Sequence, residues 1–184
     1  MARFGPVLVG LRGCGKSSIV RPLAQALQMV AIDADLELTR RDGRSIERIF
    51  GEEGEDYFRD LERRLLCRDL LRRPGAVIAT GGGAVLHAEV RDLLQRRLTV
   101  WLVAPLTRLA SRVSGSDRPS LGVGPIEQEL GALLEQREPL YRKVAGAVIS
   151  TEENTIGEVV DQIARHWSRF QQEAASDSDE PERR

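Results

Sequence analysis

Five short apolar runs, at residues 7–9, 30–32, 77–79, 99–103 and 147–149, recur along this 184-residue chain, each rich in β-branched side chains and apolar at successive positions. A strand covered on one face alternates apolar and polar residues, so unbroken apolar runs predict strands buried on both faces of a parallel sheet. Between them lie stretches with helical apolar spacing: 17–27, 56–72 (Phe58, Leu61, Leu65, Leu66), 125–137 and 156–170 (Val159, Val160, Ile163, Trp167). Strand and helix in alternation predict an α/β fold with crossover connections. The length suits a single domain, here residues 1–170, and 41% apolar residues supply its core. The remaining segment, 171–184 (QQEAASDSDEPERR), has no large apolar residue and is expected to be a disordered tail.

Composition narrows the partners. Twenty-seven basic side chains against 28 acidic ones leave a formal charge of −1, so there is no bulk positive field for a nucleic-acid backbone or an anionic membrane. Aromatic residues, at 4%, are too few for base-stacking platforms. No run approaches the roughly 20 apolar residues of a membrane span, and no signal-peptide core is visible. Cys14 and Cys67 cannot make a disulfide framework and lack zinc-site spacing, which predicts a reduced, cytoplasmic protein.

Residues 10–17 read GLRGCGKS, a match to G-x-x-x-x-G-K-[ST] placed after the first strand and before a helix. Glycines there let successive N–H groups converge on phosphate oxygens, and the helix N-terminus adds partial positive charge. Lys16 would reach the terminal phosphates and Ser17 would ligate Mg²⁺. Pro22 removes a backbone donor inside the following helix and predicts a kink. Cys14 is either a thiol made acidic by the converging amides or simply a small residue that fits the loop.

Asp33 and Asp35 leave the second strand as IDAD, and strand alternation places them on one side at the ligand-binding end of the sheet. One carboxylate could hold the metal's water shell while the other takes a proton from an attacking hydroxyl; a turn or helix cap is the competing reading. In FRDLE, Arg59 and Glu62 are three residues apart and can pair, as many surface residues do. Gly81, Gly82 and Gly83 end the third strand, where backbone either approaches a ligand or makes a tight turn. The glycine- and serine-rich stretch 114–124 carries Arg118 and suits either a lid or an idle loop.

Taken together, GxxGCGKS, DxD, FRxxE, GGG, DRP and RxxLY (residues 137–141) resemble, in order and spacing over about residues 5–165, the shikimate kinase family. The resemblance implies a three-layer P-loop kinase fold like that of nucleoside-monophosphate kinases. Its five-stranded parallel sheet would have the order 2-3-1-4-5, with a substrate-binding region near 33–62 and a lid near 112–124. It implies transfer of the ATP γ-phosphoryl group to the 3-hydroxyl of shikimate by a monomer, without nucleic acid or membrane. It also implies site roles. Asp35 would bind the substrate hydroxyls and act as base, Arg59 and Arg137 would grip the carboxylate, Glu62 would orient Arg59, and Gly81 to Gly83 would approach the substrate. Gly13, Cys14, Gly15, Lys16, Ser17 and Ser18 would hold ATP, with Arg112 stacked on adenine. Lys16 and Arg118 would stabilise the phosphoryl charge, and Ser17 and Asp33 would serve Mg²⁺. A gluconate-type kinase and a nucleotide-binding regulator without catalysis are the alternatives. The paired arginines and GGG favour an acceptor with a carboxylate and a ring of hydroxyls.

Overall fold

A computed structural model describes residues 4–113 and 125–178. Strands β1 (Val7–Val9), β2 (Val30–Asp33), β3 (Ala76–Ala79), β4 (Thr99–Val103) and β5 (Ala147–Ser150) pair in parallel as one sheet of order β2-β3-β1-β4-β5. Around it lie α1 (Lys16–Ala26), α2 (Ala34–Asp42), α3 (Ile46–Arg68), α4 (Ala88–Leu94), α5 (Leu106–Val113), α6 (Ile126–Val144) and α7 (Ile156–Ser178). The predicted fold class and strand order hold.

Burial on both faces is complete only inside the sheet. β1 and β3 are buried at every residue, whereas Val30 on β2 and Val148 on β5 are each 53% exposed. These two strands are the sheet's edges, so helices cover them incompletely.

The helices are more numerous than apolar spacing alone predicts. α2, α4 and α5 are short and lack a long apolar stripe, and α3 begins at Ile46 rather than near 56. Ser45 caps α3 by accepting from the Arg48 N–H at 3.1 Å, and Gly54, at φ 85°, interrupts the helical dihedrals partway along. Pro22 does not interrupt α1, whose buried Ile19, Val20, Leu23 and Ala24 hold it against the sheet. α6 likewise runs through Pro139 to Val144. The expected tail is corrected in part: α7 continues past Gln171 to Ser178. Gln, Glu and Ala are adequate helix formers, and extending an anchored helix costs far less than starting one.

The two ends of the sheet differ in kind. At the strands' N-terminal end the buried Arg97 guanidinium donates to the carbonyls of Gly5 (2.6 Å), Leu71 (3.2 Å) and Ala76 (3.3 Å), and burial lowers its pKa to about 10, leaving it charged. The C-terminal end stays open and carries the loops that bear the motifs. Among the described residues no helix is long and apolar enough to cross a membrane.

Trp167 on α7 is 5% exposed, while residues 173–176 are exposed. Deleting residues 172–184 should change unfolding free energy by less than about 1 kcal/mol, whereas Trp167→Ala should cost about 3–5 kcal/mol, both read from urea melts.

Candidate active site

The loop between β1 and α1 is a cradle whose carbonyls are tied down by side chains. Lys16 Nζ donates to the carbonyls of Gly10 (2.7 Å) and Leu11 (2.9 Å), and Arg112 Nη1 donates to that of Gly13 (3.1 Å). Thr151, just beyond β5, donates through Oγ1 to the Cys14 carbonyl at 3.1 Å and accepts from Arg112. Gly10, Gly13 and Gly15 all have positive φ, which L side chains rarely adopt. Cys14 is buried with its Sγ 3.4 Å from Lys16 Nζ, so it fits the loop as a small packed residue.

Ser17 Oγ donates to Asp33 Oδ2 at 2.6 Å. Asp33 also caps α2, its Oδ1 accepting from the N–H groups of Asp35 (3.1 Å) and Leu36 (3.3 Å). The shared-strand reading of the two aspartates is therefore corrected. Asp33 ends β2, and Asp35 sits in the first turn of α2, because the cap turns the chain into helix at once. The pair still meets at one site, reached from two elements.

Two cavities adjoin there. The larger, of about 540 Å³, is lined by Gly13, Gly15, Lys16, Ser17, Ser18 and Arg112, among others, and is large enough for a nucleotide. The smaller is lined by Arg59, Glu62, Gly81, Gly82, Gly83 and Arg137. Asp35 and Arg12 line both.

In the smaller cavity Arg59 and Glu62 are no surface pair. Arg59 Nη1 donates to Glu62 Oε2 at 2.9 Å, with side chains 13% and 2% exposed. Burial pushes the Glu62 carboxyl up, Arg59 opposes that, and nearby Asp35 reinforces it. For Arg59, burial works against the cation, but Glu62 and Glu55 outweigh it and hold its pKa above the ordinary value. Arg137 differs: burial dominates and lowers its pKa, with Arg59 adding to the effect. α6 places Tyr141 one turn beyond Arg137, and its hydroxyl donates to the Gly82 carbonyl at 2.6 Å, tying this helix to the glycine turn.

The family model for shikimate kinase matches residues 12–168. The chain belongs to the shikimate kinase family. It is 40% identical over 172 residues to the shikimate kinase of Nitrosococcus oceani, covering 92% of this chain and 90% of that one. A bifunctional shikimate kinase/3-dehydroquinate synthase of Thermotoga maritima is 42% identical over 73% of this chain, which spans 27% of that longer protein. The solved shikimate kinase of Acinetobacter baumannii, in complex with shikimate, superimposes with a TM-score of 0.84 at 37% identity, covering 89% of this chain and 92% of that one. A gluconokinase from Sinorhizobium meliloti, at 18% identity and TM-score 0.67, shares the fold alone. Like other members of the shikimate kinase family, the chain is an ATP-dependent phosphotransferase.

The structure thus brings Lys16, Ser17, Asp33, Asp35, Arg59, Glu62, Gly81 to Gly83, Arg112 and Arg137 to one end of the sheet. Arg118 and most of the expected lid, at 114–124, lie outside the described residues. Sequence reasoning missed Thr151, Tyr141's bond to Gly82, and Arg12. Thr151 lies two residues past the fifth apolar run, and Arg12 stands inside the glycine motif, so position alone could have flagged both.

A Cβ on Gly81 would collide with Glu62 Oε1 and come within 2.9 Å of Asp35 Oδ1, whereas one on Gly51, inside α3, would meet nothing within 4 Å. Gly81→Ala should destabilise by about 1–3 kcal/mol through overpacking. Gly51→Ala should stabilise by about 0.5–1 kcal/mol. Urea melts of the two variants check the contrast.

Proposed function

We propose that this chain transfers the γ-phosphoryl group of ATP to the 3-hydroxyl of shikimate, giving shikimate 3-phosphate and ADP. The observation that carries this reading is the position of Asp35, a carboxylate lining both the nucleotide-sized cleft and the arginine-walled cavity beside it. A hydroxyl in the smaller cavity can pass its proton to Asp35 while its oxygen faces a phosphoryl group in the larger.

Each neighbour has a part consistent with its surroundings. Gly13, Cys14, Gly15, Lys16, Ser17 and Ser18 cradle the triphosphate, with Lys16 near its end, and Arg112 packs on adenine. Arg59 and Arg137 clamp the acid's carboxylate, because two planar forks match it bidentately. Glu62 fixes Arg59, and Gly81 to Gly83 let backbone lie against the ring. Arg118 adds charge at the phosphoryl group.

Ser17 and Asp33 form an oxygen pair of the kind Mg²⁺ takes when most of its shell is water and substrate phosphate. The ion, when bound, neutralises charge on the phosphates. We infer further that the enzyme is a cytoplasmic monomer. Cys14 and Cys67 are free thiols, a state that reducing compartments maintain.

An ADP-release assay with shikimate, gluconate and nucleoside monophosphates tests the acceptor, and turnover confined to shikimate is expected. Asp35→Asn should lower kcat by about 10²–10⁴ with ATP affinity little changed. Arg59→Ala or Arg137→Ala should raise KM for shikimate about tenfold or more, since each removes a charged hydrogen bond worth about 1.5–3 kcal/mol. Preference for gluconate, or full rate in Asp35→Asn, would overturn the reading.

A further inference from the structure

Two described side chains line both cavities, and only Asp35 has a task so far. The other is Arg12, inside the cradle motif. Its backbone nitrogen lies 3.6 Å from the position a Cβ on Gly82 would take, so this part of the cradle rests against the glycine turn of the neighbouring cavity. Its side chain is 11% exposed, and Nη2 pairs with Glu129, itself 7% exposed, at the start of the helix that carries Arg137.

A phosphoryl group moving from the larger cavity to a hydroxyl in the smaller one crosses the boundary these two residues define. Its loose transition state spreads negative charge over three equatorial oxygens, and catalysis rests on positioning and on cations fixed in advance. Lys16 is a point charge bonded into the cradle. Arg12 offers a planar fork where the two cavities meet. A largely buried ion pair is weak evidence for stability, since apolar groups of similar volume often serve as well, so a guanidinium at this junction points to use of its charge.

Building on the phosphotransferase reading above, we propose that Arg12 is a catalytic residue that donates to the equatorial oxygens of the γ-phosphoryl group in flight, and that Glu129 is the positioning residue that holds it. In that step the bond from the γ-phosphorus to the β–γ bridging oxygen breaks and a bond to the acceptor oxygen forms. The hydroxyl proton goes to Asp35, ADP carries away the bridging electron pair, and Arg12 keeps its own protons throughout.

Steady-state kinetics of Arg12→Met, Arg12→Lys, Arg12→Ala and Glu129→Gln, with thermal melts alongside, decide the matter. Arg12→Met should lower kcat by about 10²-fold or more while KM for ATP and for shikimate stay within about threefold. Arg12→Lys should recover part of the rate, and methylguanidinium added to Arg12→Ala should restore turnover, which a purely structural role would not permit. Glu129→Gln should lower kcat less than Arg12→Met. Unchanged kcat, a loss confined to KM, or a rate loss in Arg12→Lys and Arg12→Ala that tracks the melting temperature and resists methylguanidinium would overturn the proposal. Wild-type turnover of shikimate reads the acceptor assignment separately; if another acceptor is used, the variant-to-wild-type ratio is taken with that acceptor.

Discussion

There is no room for a single methyl group on two of the three glycines that follow β3. At Gly81 a Cβ would meet the carboxylates of Glu62 and Asp35, and at Gly83 it would meet the guanidinium of Arg59. That close approach sets the spacing of everything around it. α3 must present Arg59 and Glu62 one turn apart against the backbone, and α2 must start early enough to bring Asp35 alongside. α6 must pass near enough for Tyr141 to reach the Gly82 carbonyl. The hydroxyl's other constraint comes from the sheet side, where the Tyr141 ring stacks on Trp101 of β4 with centroids 5.6 Å apart. One turn of backbone thereby registers three helices and a strand relative to each other.

The cradle obeys a complementary constraint. Every peptide has one donor and one acceptor to satisfy, and a loop that offers its amides to a ligand must dispose of its carbonyls elsewhere. Gly10, Leu11, Gly13 and Cys14 do so by accepting from Lys16 on α1, Arg112 on α5 and Thr151 just after β5. Lys16 and Arg112 hold the loop that any phosphate bound there would touch. Their charges thus already serve the geometry of the loop.

Much of this was legible in the sequence, and the parts that were not share a cause. The apolar runs located the five strands to within a residue or so, because burial between two layers leaves few alternatives to unbroken β-branched stretches. The helices were harder. α2 reads ADLELTRRD, whose only buried members are Ala34, Asp35 and Leu38, too few to show a stripe. The first turns of α3 carry glycines and acids, which hide its start from the apolar pattern. At the site, motif spacing picked out residues that the fold brings to one end of the sheet, but not their setting. FRDLE looks like an exposed ion pair, and only the fold, by laying the glycine turn over it, makes Glu62 a buried acid. IDAD looks like one strand face, and only the cap at Asp33 shows that its two carboxylates belong to different elements.

The balance of charge in the smaller cavity shows how a chain of near-neutral composition can still favour an anion at one site. Folding removes Glu62 and Arg137 from water, and burial drives both toward their neutral forms, raising the acid and lowering the base. Arg59 is already paired with Glu62 and Glu55, so of these two arginines it is Arg137, whose charged form burial disfavours, that stands to gain from a new partner. A ligand carboxylate placed against it would offset a desolvation cost that the fold has already incurred, and the resulting attraction acts where little water competes. A neutral ligand of the same shape gains nothing from that arrangement. A preference of the cavity for an acid would therefore follow from where the arginine is buried rather than from how many arginines the chain contains.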